Sequence, residues 1–360
     1  MKMKRIIPLG LFLLGACMEE APSEAPAFYH RTVLVYMGGD NNLSSETDAK
    51  IHALASGWNR SDCRLIIYQD KGGAPCLYEV TREGIERVKT YPDENSASGS
   101  TLRRTIVDML SRYPAKSYGL VVFSHGTGWL PQGMYPHSRS IVADGNNEME
   151  ISDFAAALGD CHFDFIVFEA CFMAGVEVAW ELREKTDYVV ASAAEMLSPG
   201  FTDIYGELRD CLFLPQPDLP GFARLYYNHY NGLTGLDRSA TISVIRTSEM
   251  GVLAEALRPI LLNGKEVSPY QTERYDRSSG ATYLYSDLGD YLRLKSEDAE
   301  QYAVAQRAME RTVVYRAATP QMLGSELKVH SGLSVYIPRA ASPELNAYYS
   351  ATGWYGIIYQ

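Results

Sequence analysis

No stretch of this chain is apolar for long enough to cross a bilayer as a helix, and there is no long run of Lys and Arg. The basic residues are also outnumbered. The 33 Lys+Arg against 44 Asp+Glu leave a formal net charge of −11, which argues against nucleic acid as a partner. CxxC pairs are missing and no His/Cys group has zinc spacing, so no structural zinc site is expected. Internal repeats and low-complexity blocks are absent, and the composition excludes collagen, coiled coil and a wholly disordered chain. What is present is a chain of 360 residues, 46% apolar, enough for a packed core in one large domain or two ordinary ones. Its 25 tyrosines fit that core, because the ring can pack while the hydroxyl stays wet.

The N-terminus reads as an address. Lys2, Lys4 and Arg5 precede the apolar run Ile6 to Leu14, followed by Gly15-Ala16-Cys17, as in a secretory signal. Leu14-Gly15-Ala16-Cys17 resembles the lipobox of bacterial lipoproteins, which implies cleavage before Cys17 and lipidation of its thiol. A plain signal with an incidental cysteine is the alternative. Met18 to Ala27 is rich in Pro, Glu and Ala and reads as a tether; Glu19 and Glu20 resemble a surface-export signal of some Bacteroidota lipoproteins. The chain is therefore divided into a signal peptide (1–16), a lipidated tether (17–30), a catalytic core (31–215) and a mainly helical C-terminal region (216–360). The expected location is a bacterial membrane, periplasmic or at the cell surface, held through the N-terminal lipid alone. The six cysteines include Cys17; Cys63, Cys76, Cys161 and Cys211 could form two disulfides or none.

Hydrophobic patterning sets the fold class. Arg31 to Met37, Arg64 to Tyr68, Tyr118 to Ser124, Phe163 to Ala170 and Tyr188 to Ser192 read as strands, and 77–80 with 85–88 as a hairpin. Helices are expected from near Thr101, capped by Ser100, over Ile151 to Leu158, and over Ala174 to Lys185. Several strands are almost continuously apolar, which predicts an α/β/α sandwich around a mostly parallel sheet. Beyond 215 the pattern predicts helices near 219–231, 248–262 and 298–317 and a late strand over 333–337.

Two segments carry chemistry: Val121 to Trp129 (VVFSHGTGW) and Ile166 to Met173 (IVFEACFM). In each, an apolar strand ends and a reactive residue follows at once. Ligands bind at the carboxyl ends of strands in open parallel sheets, so neighbouring strands would bring His125 and Cys171 to one crevice. A Cys/His pair can cleave an acyl bond, with Cys171 as nucleophile and His125 as general acid and base. A helix starting near Ala174 would favour the thiolate through its dipole. The backbone N–H groups of Gly126 and Cys171 are the candidate oxyanion donors. The residues alone equally fit an inert buried cysteine beside a surface histidine.

The segments His125-Gly126-Thr127-Gly128-Trp129 and Glu169-Ala170-Cys171-Phe172-Met173 resemble the paired motifs of clostripain-like cysteine peptidases, of the clan that includes caspases, legumains and gingipains. Val35-Tyr36-Met37 with Asp40-Asn41-Asn42-Leu43, Tyr113-Pro114-Ala115 with Tyr118-Gly119, and Gly332 to Pro338 extend the resemblance over most of 31–340. It implies a caspase-like core, an acyl-enzyme and protein or peptide substrates cleaved after Arg or Lys. It also implies an acidic S1 pocket, with Glu169 where the family usually has Asp, and Glu195 or Asp203 for a second acid without a clean match. Maturation by self-cleavage is implied in the loop from Leu130 to about Asp144, and Arg139/Ser140 is the expected bond. No cofactor is expected. Calcium, reported for some relatives, would have to use scattered acids such as Asp40, Asp70 and Asp144, and no EF-hand pattern exists. A monomer is expected. Three other readings fit the same residues: an inactive caspase-fold surface binding lipoprotein, a Cys-dependent amidase or transpeptidase, and a disulfide-stapled structural protein.

Overall fold

The computed structural model describes residues 28–134, 141–277 and 282–360. Nine strands form one sheet: β1 (Tyr29–Gly38), β2 (Cys63–Asp70), β3 (Cys76–Val80), β4 (Ile85–Thr90), β5 (Ala115–Phe123), β6 (Phe165–Glu169), β7 (Tyr188–Ala191), β8 (Thr241–Arg246) and β9 (Val313–Ala318). Their order across the sheet is β9-β8-β7-β6-β5-β1-β2-β3-β4. The five central strands from β7 to β2 are parallel, and two antiparallel strands close each edge. This is the expected α/β class. The sequence reading lacked β8 and β9. Residues 313–317, expected to prolong a helix, are a strand instead, as the β-branched and aromatic run Val313-Val314-Tyr315 favours.

Both faces of the sheet are covered, which is why the inner strands are nearly all apolar. Val33, Val35 and Met37 point to one side, with α1 (Ser44–Ala55), α5 (Tyr205–Leu212) and α6 (Leu219–Asn231). Leu34 and Tyr36 point to the other, toward α2 (Gly99–Arg112), α3 (Ile151–Ala157) and α4 (Val176–Leu182). Also on that side are α7 (Met250–Asn263), α8 (Leu288–Lys295), α9 (Ala299–Thr312), α10 (Pro343–Tyr349) and α11 (Gly353–Tyr359). Each large side chain buried this way contributes roughly 1.5–3 kcal/mol. The α2 cap is Ser98, not Ser100: Ser98 is extended and its side chain accepts the Ser100 N–H. The late strand shrinks to Ser334–Val335, paired with Ser286–Asp287 outside the main sheet.

The order of connection matters for the site. From β1 the chain runs to β2 on one side and returns to β5 on the other, so the sheet reverses direction of winding between β1 and β5. The crevice at the carboxyl ends of those strands is where an open α/β sheet offers room for a ligand.

Candidate active site

Strand register brings the two reactive segments together. β5 and β6 are parallel neighbours, with Phe123 opposite Glu169. Two residues further on, His125 and Cys171 leave the same edge side by side. The backbones touch: a Cβ on Gly126 would lie 2.5 Å from the Cys171 carbonyl oxygen and 3.1 Å from its nitrogen. Gly128 is left-handed, with φ 64°, and a Cβ there would lie 2.8 Å from the Phe172 oxygen. Glycine at both positions is what lets the segments approach.

The imidazole is held from β1. Its Nε2 lies 2.7 Å from Asn42 Oδ1. The turn carrying Asn42 is tied down by Asn41, whose side-chain NH2 donates to the Gly38 and Ala143 carbonyls and whose Oδ1 accepts the Leu43 N–H. Ser124 completes the frame, donating to the Gly38 carbonyl at 2.7 Å and accepting from the Ala143 N–H. Asn42 was present in the sequence motif, but its role as partner of His125 emerges only from β1 lying beside β5.

The thiol sits lower, against the loop that follows β7. Cys171 Sγ accepts the Met196 N–H at 3.2 Å. The chain beyond it is pinned to the same loop by Phe172 N–H to Ala194 O and Ala174 N–H to Ser192 O. Phe172 is left-handed, φ 60°, and its ring stacks on Tyr285 at 4.2 Å, while the Tyr285 hydroxyl donates to the Thr127 carbonyl. These pins keep residues 171–175 out of a helix. The first turn of α4 starts at Val176, so the expected dipole at Cys171 is corrected: no helix begins beside the sulfur. Burial pushes the thiol up to about 11, the Met196 N–H works against that, and the Glu195 carboxylate adds to it.

The expected S1 acids fall in three different environments. Glu169 is buried and already engaged: Oε1 accepts from Lys50 Nζ at 2.6 Å and the Phe201 N–H at 2.6 Å, and Oε2 from the Tyr205 hydroxyl at 2.9 Å. Glu195 accepts the Arg277 N–H at 2.8 Å and is buried near the thiol. Asp203 is exposed, 4.0 Å from His229 Nε2. Lys50 was missed because α1 was missed: its buried face is Thr47, Lys50, Ile51 and Leu54, half polar, and its apolar periodicity is weak. The available signal was a lysine at a helical core position, which demands a buried anion.

Cys17, Arg139 and Ser140 lie outside the described residues. Cys63, Cys76, Cys161, Cys171 and Cys211 are all free thiols. Asp40, Asp70 and Asp144 gather at the same sheet edge, where burial pushes Asp70 up to about 7 and the other two acids add to it. Among the described residues no group of three His, Cys, Asp or Glu is arranged to hold a metal ion.

The family model described as the Clostripain family, Peptidase C11, matches residues 35–355. The chain belongs to the clostripain family of cysteine peptidases. No curated protein matches it. Among solved structures it is similar to an inactive zymogen C11 protease from Parabacteroides distasonis, at 35% identity and TM-score 0.82, covering 93% of this chain and 100% of that one. It is also similar to a secreted C11 cysteine protease from Bacteroides thetaiotaomicron in complex with an irreversible peptide inhibitor. That match has 28% identity and TM-score 0.78, over 92% of this chain and 99% of that one. A second secreted C11 protease from that organism, iotapain, shares the fold at 23% identity, with TM-score 0.82 over 92% and 100% of the two chains. Clostripain-family membership makes this chain a cysteine peptidase acting on proteins or peptides.

Proposed function

We propose that this clostripain-family peptidase works through a Cys171/His125 dyad. The supporting observation is the β5/β6 register, which leaves the two residues side by side at the carboxyl edge of the sheet, next to the β1/β5 switch point. The resting thiol is protonated. On attack, Sγ forms a bond to the scissile carbonyl carbon and its proton passes to His125, oriented by Asn42. The oxyanion takes hydrogen bonds from the Gly126 and Cys171 N–H groups. His125 then protonates the departing amine, the C–N bond breaks and a thioester remains. Water, deprotonated by His125, releases the acid and restores the thiol.

Cleavage after Arg or Lys, and self-processing at Arg139/Ser140, belong to this reading, and of the three acids expected for a basic P1 side chain Glu195 lies buried beside the thiol. Glu169 is itself paired with the Lys50 ammonium at 2.6 Å. Lipidation at Cys17 after removal of 1–16, with a tether that ends where β1 begins at Tyr29 and carries the peptidase as a monomer at a bacterial membrane surface, is the cellular part of this reading; the sheet draws strands from both 31–215 and 216–360, and similar proteases are described as secreted. A positional peptide library hydrolysed by wild type and by Cys171→Ala tests the dyad. Cleavage is expected only in wild type, and a Cys171→Ala protein that cleaves as wild type does would overturn the reading.

A further inference from the structure

We infer that Tyr285 is a positioning residue for the reaction: its hydroxyl holds the segment after His125, its ring holds the segment after Cys171, and together these fix the two backbone N–H groups that receive the oxyanion. The inference rests on the Cys171/His125 reading and concerns a residue of the C-terminal region, outside both motifs.

Tyr285 is buried and reaches both segments at once. Its hydroxyl donates to the Thr127 carbonyl at 2.7 Å, two residues after His125. Its ring centre lies 4.2 Å from that of Phe172, one residue after Cys171, with the planes 8° apart. The contact is tight, since a Cβ on Gly128 would lie 2.8 Å from the Phe172 oxygen and 3.7 Å from Tyr285 Cε1. Phe172 has φ 60°, and a left-handed residue other than glycine persists only where its surroundings over-determine it. Here the Ala194 carbonyl takes the Phe172 N–H on one side and Tyr285 takes the ring on the other. Letting Phe172 relax to an ordinary φ would swing the peptide before it, and with that peptide Cys171 and its N–H.

Tyr285 is itself anchored. The Tyr275 N–H donates to its carbonyl, the Asp287 N–H to the Glu273 carbonyl, and the Leu284 N–H to Asp276 Oδ2. Ser286–Asp287 pairs with Ser334–Val335, and the Ser334 N–H donates to the Ala174 carbonyl, three residues past the thiol. The same stretch also reaches the acid beside the thiol, through the Arg277 N–H on Glu195 Oε1. Tyr285 therefore stands on a frame already tied to the Cys171 side of the site, and its hydroxyl carries that frame across to the His125 side. Donors aimed at an oxyanion help most when they need no movement during the reaction, and this bridge is what keeps Gly126 and Cys171 in register.

The test compares wild type, Tyr285→Phe, Tyr285→Leu and Phe172→Leu as full chains, on peptides carrying the P1 residue that the positional library selects. Tyr285→Phe keeps the stack and loses the hydrogen bond, and kcat is expected to fall about threefold to tenfold. Tyr285→Leu loses both, and kcat is expected to fall about a hundredfold or more while KM moves by less than about threefold. A peptide aldehyde reports the cause. Sγ adds to its carbonyl carbon and its oxygen takes the oxyanion's place, so its Ki should rise across the variants in step with the loss of kcat/KM. The matching peptide alcohol, which cannot be attacked, should bind all of them alike. Iodoacetamide alkylates the thiolate without forming an oxyanion, so it should label Cys171 in Tyr285→Leu at about the wild-type rate. Should Tyr285→Leu not fold, Tyr285→Phe and Phe172→Leu carry the test, with the aldehyde weakened in both and the alcohol unchanged. Tyr285→Phe and Phe172→Leu both cleaving as wild type does, or aldehyde, alcohol and alkylation all weakening together, would overturn the assignment of Tyr285. Failure of the dyad itself looks different: wild type cleaves no peptide and its Cys171 is unlabelled by a peptidyl acyloxymethyl ketone, which ends both readings.

Discussion

The protonation of Cys171 before substrate arrives can be measured directly. Burial pushes the thiol up to about 11, and nothing at its position supplies the helix dipole that the sequence had promised. A thiol of that kind is ionised to about one part in a thousand at pH 8. Its alkylation should then climb about tenfold per pH unit from 7 to 10, because only the thiolate reacts. The assay is iodoacetamide labelling over that range, with mass spectrometry following the Cys171 peptide apart from the other cysteines. Cys161 and Cys211 are also raised by burial, to about 11, and serve as internal references. Glu195→Gln removes the acid that adds to the shift, so its profile should move to lower pH by less than about one unit, burial remaining the larger cause. A plateau of Cys171 alkylation already reached near pH 7 would refute the reasoning: it would mean a resting thiolate–imidazolium pair, with His125 losing its place as the base that takes the thiol proton.

Gly126→Ala should cut kcat/KM by about a hundredfold or more and lower the melting temperature, since its Cβ would be 2.5 Å from the Cys171 carbonyl; steady-state kinetics with thermal melts check both. Asn42→Ala frees the ring held through Nε2 and should lower kcat about tenfold to a hundredfold with little change in KM, while Asn42→Asp restores much of the rate. The pH dependence of stability follows from two buried acids. Asp70 and Glu177 are both pushed up to about 7 by burial, so between pH 4 and 7 the folded chain holds protons that the unfolded chain has lost. Stability should therefore fall as pH rises through that window, by a few kcal/mol for each acid. Asp70→Asn and Glu177→Gln should each flatten the slope of urea-unfolding free energy against pH.

Much of the fold was legible because the central strands are buried on both faces. Runs such as Val33 to Met37 and Phe165 to Phe168 can only be strands between two layers, and the residues that follow them mark the sheet's carboxyl edge. His125 and Cys171 were readable for that reason, each standing just past such a strand. Pairing was less legible. The strand Thr241–Arg246 went unread in a region taken as helical, and Val313 to Ala318 was absorbed into a helix, although both complete one edge of the sheet. α1 hides its buried face behind Thr47 and Lys50, so the cation on Glu169 was invisible until the fold closed over it. The helix expected at Ala174 starts later because Phe172 and Ala174 donate to the Ala194 and Ser192 carbonyls, long-range bonds that no local periodicity encodes.

The central claim is that Cys171 forms, and His125 resolves, a covalent acyl-enzyme. Acid-quenched mass spectrometry of the enzyme turning over a slow ester substrate tests it most directly. The account predicts an acyl group on the Cys171 peptide, absent from Cys171→Ala and longer-lived in His125→Ala, where no imidazole is left to activate water. An acyl group found on another residue, or undiminished hydrolysis by Cys171→Ala, would contradict it.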